Sequence, residues 1–453
     1  MNLAVPDPSR TQTLRAVGHE YLVNKHRGGR APPTGFRLGR RKGQKMKFVS
    51  PRYGRTAVWA VIATRGAARF LNRGKSGALV LGLAAAAAVA VPASASASIG
   101  ASPVVGHVYV NDNTKGTNTI GAFDRHADGT LTPEAGSPFA AGGAGTGAGL
   151  ASQGALQFSA DGRFLIAVDA GSNQISVLRI RPDGSLRLVT HGVVSSGGTR
   201  PDSIAVFGDL VYVANSGASS NYTGFRLRPN GRLDPIPGST ITLAANAAPG
   251  DVLFNGTGTK LVGTEVGPSL IDSFTVGFDG RLTAAPGSPF PAQGLGPFGS
   301  QFRPTNPDQL FVSNAHNTAP DSGTVSAFID HHNGRLSPVN GSPFADDQMA
   351  PCWVEITHDG QFLFTVNTAT GSISRYQIAA NGALTLLGST PISGAKVGAV
   401  DARLSPDGGF LYVDESAIGK VAAFTVSGGS LTELGTSPFP LPAGAAPAGI
   451  VVS

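Results

Sequence analysis

Only one cysteine, Cys352, occurs among the 453 residues, so neither an intrachain disulfide nor a cysteine-ligated metal cluster can form. Aromatic residues are scarce, at 7% against 41% hydrophobic residues overall. The core must therefore be assembled mainly from aliphatic side chains. No Gly-x-Ser-x-Gly, no Gly-x-x-x-x-Gly-Lys-Ser/Thr and no His-Glu-x-x-His occurs. The strained nucleophile elbow, the phosphate-cradling loop and the paired-histidine zinc helix are excluded with them. Helical periodicity is missing throughout the C-terminal three quarters of the chain.

What the chain has in excess is glycine and proline, 62 and 32 residues. Beyond the N-terminal region they fall mainly at regular turn positions, where they punctuate strands. Charge is placed unevenly. Residues 1–77 hold 17 Lys/Arg against 2 Asp/Glu, and the remainder holds 18 against 26. The net charge of +7 thus belongs to the N-terminus, and the rest of the chain is acidic. An acidic domain offers no nucleic-acid surface, so no nucleic-acid partner is expected. Residues 78–91 form an apolar run preceded by Arg69, Arg73 and Lys75 and followed by Pro92 and the small residues Ala93 to Ala97. Positive, apolar, then Ala-x-Ala is the layout of an export signal. The run is short for a membrane span, so contact with a membrane is expected only through an uncleaved anchor. The sequence divides into a basic extension over 1–77 whose start is open to reassignment, a signal region over 78–97, and a repeat domain over 103–453.

The repeat is carried by seven triplets of glycine, any residue and leucine. They begin at Gly129, Gly184, Gly231, Gly280, Gly334, Gly382 and Gly429. A period near 50 residues marks a repeat architecture. One unit shows the pattern. Ala155 to Ser159 reads as a strand, Asp161-Gly162 as a hairpin turn, and Arg163 to Val168 as a second strand. Gln174 to Ile180 and Ser185 to Val189 supply a third and a fourth. Four antiparallel strands per unit make a propeller blade. The first unit begins at Gly106 to Val110 without a first strand, and the C-terminus supplies that strand at Pro447 to Ser453. The expectation is an all-β, seven-bladed propeller, its ring closed when the C-terminal strand completes blade one.

Two further signatures recur: Gly136-Ser137-Pro138-Phe139 with its counterparts at Gly287, Gly341 and Thr436, and the run from Leu404 to Val413. With the triplets they resemble the lactonase-like seven-bladed propellers, which include 6-phosphogluconolactonases and muconate-lactonising propellers. The resemblance covers about residues 103–453 and implies the fold and a hydrolase ancestry. The family's enzymes carry Pro-Arg-His before one inner strand and Asn-Glu after the next strand. Here those stretches read Pro297-Phe298-Gly299 and Asn314-Ala315. A His-Pro-His of an earlier blade falls at Gln153-Gly154-Ala155, and an Arg-Asp element at Val400-Asp401.

The loops entering the inner strands and those leaving the second strands gather on one propeller face, where a small-molecule or extracellular ligand is expected. Hydrolysis of a lactone needs a base to activate water and a donor or cation for the carbonyl oxygen. Glu265, Asp251 and Asp401 are the candidate bases, Arg200 and Arg403 the candidate cations, and His316 the histidine at a well-placed loop. A ring of acidic residues there would also suit a hard divalent cation such as Ca²⁺. Two functions follow: an exported, monomeric lactonase-family hydrolase of a lactone or ester, or a non-catalytic extracellular propeller that binds a ligand or protein through its loop face.

Overall fold

The structure is a computed structural model and describes residues 102–316, 319–394 and 398–453. The basic extension and the signal region lie outside the described residues. Within them seven antiparallel sheets follow one another along the chain, and no helix forms. In each sheet the strands run from the ring axis outward in chain order. The one exception is blade one, whose innermost strand is Ile450–Val452. It pairs antiparallel with Val104–Asn111, Tyr109 facing Val451. Ser453 extends the seam, its N–H donating to the His107 carbonyl at 2.8 Å. The expected closure of the ring by the C-terminal strand is what the structure shows, and it removes the open edge of blade one.

The second strands are the apolar heart of each blade. Phe164–Asp169, Leu210–Asn215 and Lys260–Glu265 are buried at every residue, because the neighbouring blades cover both faces. Each hydrophobic cluster accordingly draws on adjacent blades. Tyr109 and Ile120 of blade one pack with Leu165 and Leu178 of blade two, and Val108 and Phe123 pack with Tyr412 and Val421 of blade seven.

The glycine–leucine triplets sit at these blade seams. All seven leucines are at least nine-tenths buried. Gly129 has φ +82° and Gly184 φ +84°, in the left-handed region that costs other residues energy. A Cβ on Gly129 would lie 2.2 Å from the Phe410 ring of blade seven, and one on Gly184 2.1 Å from the His107 ring of blade one. The Gly129 and Gly184 carbonyls accept hydrogen bonds from the hydroxyls of Tyr412 and Tyr109. The triplet is thus a joint between blades as well as a turn.

In five blades the outer strand is broken in two, both pieces pairing with the third strand. Blade one has Leu131–Pro133 and Phe139–Gly145. In four of the five the break falls at the Ser-Pro tags, whose Ser-Pro bonds are cis. Each tag serine replaces a lost ladder bond: Ser137, Ser288, Ser342 and Ser437 accept from the N–H of Ala122, Ser273, Ala327 and Ala423 at 2.8–3.0 Å.

Candidate functional site: a plugged axis and an apolar cavity

The residue directly before the inner strand has positive φ in six blades, at Arg200, Ala248, Gly296, Ala350, Gly398 and Gly449, and in blade two a positive φ falls earlier, at Ala151. This turn aims the next residues at the axis. In blade two the ladder begins late, as the inner strand is only Leu156–Phe158, and the residues before it cross the channel. The Ser152 hydroxyl donates to the Asp202 carbonyl of blade three. The Gln153 N–H donates to the Gly250 carbonyl of blade four. The Gln153 amide donates to the carbonyls of Ser300 and Val354 at 3.1 and 3.3 Å and accepts from the Val354 N–H at 3.0 Å. The Gly154 N–H donates to the Asp401 carboxylate of blade seven. One five-residue segment, 150–154, therefore touches blades three to seven and fills the centre of the ring.

Beside this plug, on the loop face, lies a cavity of about 410 Å³. Its walls are mainly apolar, with Leu150, Phe298, Trp353, Val400 and Ala448 prominent. Phe298 and Trp353 meet edge to face, ring centroids 5.3 Å apart, and the Trp353 indole N–H donates to the Ser152 carbonyl at 2.9 Å. The polar lining is Ser152, His316, Thr368, Asp401 and Ser416. Among the described residues no lysine or arginine lines the cavity. Cys352 also borders it, but burial pushes its thiol up to about 12, which leaves it protonated and unreactive near neutral pH.

Of the six residues proposed from sequence, two line this cavity. Asp401 is 1% exposed. Burial raises its carboxyl above the usual range, opposed by the Arg403 charge and by backbone donors including Gly154 and Ala402. His316 follows the second strand of blade five at the cavity rim. Partial desolvation of its ring lowers its proton affinity. Arg403 lies elsewhere: it lines a shallow pocket with Gln157, Phe158 and Val452. There it reaches Glu355 at 3.4 Å and Asp401 at 3.5 Å. Burial works against its charge, but Asp401, Glu355 and Asp251 outweigh it and raise its affinity for the proton. Asp251 is buried among Ser203 and Ser300, which donate to it, and burial pushes it up to about 7. Glu265 is buried beside Asp272 rather than at the cavity. Burial and the Glu265 charge push Asp272 up to about 8, and burial raises Glu265 as well. Arg200 is exposed in its entry turn.

The acidic residues at the second-strand ends do not form an open ring. Asp112, Asp169, Asp414 and Glu415 are all 0–1% exposed, set into the blade seams. Three features of the axis escape a motif search: the plug, and Phe298 and Trp353 as cavity walls. The signal for the walls was their position directly after an entry turn. The plug had no counterpart in the other blades.

Seven blades, the terminal closure and the seam joints define a lactonase-type propeller. The chain belongs to the family described as "Lactonase, 7-bladed beta-propeller", which it matches over residues 106–242 and 302–447. Among curated proteins no sequence match is found. Solved structures share the fold. A candidate 6-phosphogluconolactonase from Bacteroides uniformis superposes with TM-score 0.63 at 19% identity, covering 78% of this chain and 100% of that one. A protein from Lactobacillus plantarum gives 0.61 at 17%, covering 77% and 99%. A periplasmic gluconolactonase from Pseudomonas aeruginosa gives 0.59 at 18%, covering 77% and 98%.

Proposed function

We propose that this chain is an exported hydrolase that takes a small, uncharged lactone or ester, with an apolar substituent, into the axial cavity. One observation carries the reading: Asp401 and His316, a carboxyl and an imidazole, line the same cavity. These are the side chains that general acid–base hydrolysis draws on. His316 accepts a proton from water as the water oxygen attacks the carbonyl carbon. The imidazolium so formed gives that proton to the leaving alkoxide as the C–O bond breaks, and the Asp401 carboxylate, paired with Arg403, favours the transient positive charge in the cavity. Phe298, Trp353 and Leu150 hold the apolar part of the substrate. A phosphorylated sugar lactone suits the site poorly, because no lysine or arginine among the described residues lines the cavity to offset the charge. Export rests on the signal-like layout of residues 78–97, and a lactone substrate is supported by family membership and by the names of the solved neighbours.

A second reading, non-catalytic binding, is favoured by the same observation, since Arg403 lies outside the cavity and no other cation among the described residues lines it to meet a developing oxyanion. The full chain bearing Trp59→Phe leaves Trp353 as the sole indole, so quenching of its fluorescence reports occupancy directly. Neutral lactones that quench Trp353 and are hydrolysed, with turnover lost in His316→Ala and Asp401→Asn while quenching persists, support the hydrolase. Quenching without turnover establishes the binding protein. A chain that neither binds nor hydrolyses neutral lactones refutes the proposal.

A further inference from the structure

Away from the axis, blade one gathers three donor groups that the proposed reaction does not use. His107 lies in the strand Val104–Asn111 directly opposite Asp124 of Gly116–His126, so both side chains stand on one face of the sheet. Glu134 follows the short outer strand Leu131–Pro133 and is held in place by its N–H, which donates to the Ala122 carbonyl. The His107 Nδ1 lies 3.2 Å from an Asp124 carboxylate oxygen and 4.0 Å from one of Glu134. One donor atom from each of the three residues lies within 4.8 Å of the others. Ligands at roughly 2.0–2.2 Å from a tetrahedral ion stand about 3.3 Å apart; His107 and Asp124 already stand at that spacing, and Glu134 would have to close in by a small side-chain shift.

Two independent observations separate the cluster from an ordinary acidic surface. The Nδ1 of His107 is wholly buried and makes no hydrogen bond, despite its 3.2 Å approach to Asp124. A buried ring nitrogen without a partner costs free energy, which a bound ion would recover. Secondly, among the described residues no lysine or arginine pairs with Asp124 or Glu134. Glu134 is nevertheless 93% buried, its side chain showing 7% exposure, and it also feels the charge of Asp183 in blade two.

We propose that His107, Asp124 and Glu134 bind a divalent transition ion, Zn²⁺ foremost, which ties together the strands of blade one beside the closing seam of the ring. An imidazole with two carboxylates and a water completes a tetrahedral zinc set. Ca²⁺ is disfavoured, since it requires six to eight oxygen ligands. The position suits a structural ion. The backbone of His107 is bonded to Ser453 on both sides, N–H to the Ser453 hydroxyl at 3.0 Å and carbonyl to the Ser453 N–H at 2.8 Å. On the other flank Gly184 presses on the imidazole so closely that any Cβ would displace it. One ion there would tie the second and third strands of blade one together where the chain end and blade two meet.

The test uses the full chain, stripped with a chelator and titrated with Zn²⁺ by calorimetry, and with Co²⁺ for its visible absorption. One ion per chain is expected. An excess of about a hundredfold over Kd should raise Tm by a few degrees. Binding should strengthen as pH rises from 6 to 8, because the ion displaces a proton. His107→Ala should weaken binding by about tenfold or more and abolish the Co²⁺ spectrum. Glu134→Gln, nearly isosteric and checked for a native circular dichroism spectrum, should do likewise if the alanine variant fails to fold. Replacing the exposed His331 and His332 by alanine should change nothing. The proposal is overturned by the absence of saturable binding. It is equally overturned by binding that survives both His107→Ala and Glu134→Gln, or that disappears with His331 and His332.

Discussion

At the rim of blade one, Gly129 meets the Phe410 ring of the adjoining blade and the Tyr412 hydroxyl. The same joint recurs with other partners at Gly184, where His107 and Tyr109 take the places of Phe410 and Tyr412. At the axis, Gln153 bonds to Ser300 and Val354, 147 and 201 residues away, and no other blade contributes an equivalent. The rim is a local rule repeated. The axis is one exception on which five blades converge. The contrast teaches where to look in a propeller of this kind: what repeats carries stability, and the blade that breaks the repeat shapes the cavity.

The strongest way to break the rim is Gly129→Ala. The new Cβ would meet Phe410 at 2.2 Å at a φ of +82°. Overpacking and left-handed strain together should cost about 2–4 kcal/mol, read from denaturant unfolding. Gly428→Ala is the control, as φ is also positive but nothing lies within 4 Å, so it should lose only about 1 kcal/mol. Equal losses at the two glycines would refute the seam joint.

The axis should break by a different route. Gln153→Ala removes three buried hydrogen bonds and leaves the Val354 N–H and the Ser300 carbonyl without them. A loss of about 2–3 kcal/mol is expected, smaller if water enters the space. The variant should also alter Trp353 fluorescence, since the plug segment bonds to that indole through Ser152. Gly129→Ala should leave the fluorescence of the folded protein unchanged. Loss of stability without any change at Trp353 would show that the plug and the cavity are independent.

Acidity separates the two regions more gently. Exposed turn carboxylates such as Asp161 are held down to about 2 by the Ser159 hydroxyl and Arg163, so their stabilisation is lost only below about pH 4. Asp251, Glu355 and Asp272, in the channel and the seams, are pushed up to about 7, 7 and 8 by burial. A carboxyl with a raised folded-state pKa holds its proton after the unfolded chain has lost it. Its contribution is therefore full below about pH 4 and declines until pH passes the folded value. Tm should fall steadily from pH 5 to pH 8, and Asp272→Asn should flatten part of that slope. A Tm that rises over this interval would contradict the burial of these groups.

Strand order, blade number and the terminal seam were legible in the sequence because each depends on residues close in the chain or on a period that repeats. The Ser-Pro tags were legible as tags, but their role was not, since it lies in a hydroxyl bonding to the third strand about 15 residues earlier. The site was legible only in part. Asp401 and His316 come to one cavity, whereas Asp251, Glu265 and Arg403 are turned into the channel or the seams. The alternation of a strand says which face a side chain takes, but blade twist decides whether that face looks along the axis or at the next blade. The crossing of segment 150–154 had no local signal at all, because every partner that holds it lies in another blade.

The smallest effect expected is also the finest test of where rim ends and axis begins. Arg200 occupies the entry turn of blade three with φ +53°. Blades five and seven place Gly296 and Gly398 at the same turn, both with positive φ. Arg200 is exposed, and the bonds it makes in that turn are main-chain ones: its N–H donates to the Asn173 side chain at 2.8 Å and its carbonyl accepts from the Ser216 N–H at 2.9 Å. Glycine preserves both. Arg200→Gly relieves the left-handed strain of a non-glycine residue but loosens the unfolded chain, and the two nearly cancel, leaving a net change within about 0.5 kcal/mol. Arg200 is absent from the cavity lining, so Trp353 quenching by a neutral lactone should be unchanged as well. A variant that folds normally yet loses binding or turnover would place Arg200 in the working site. It would supply the missing cation and move the boundary of the site outward from the axis to the entry turns.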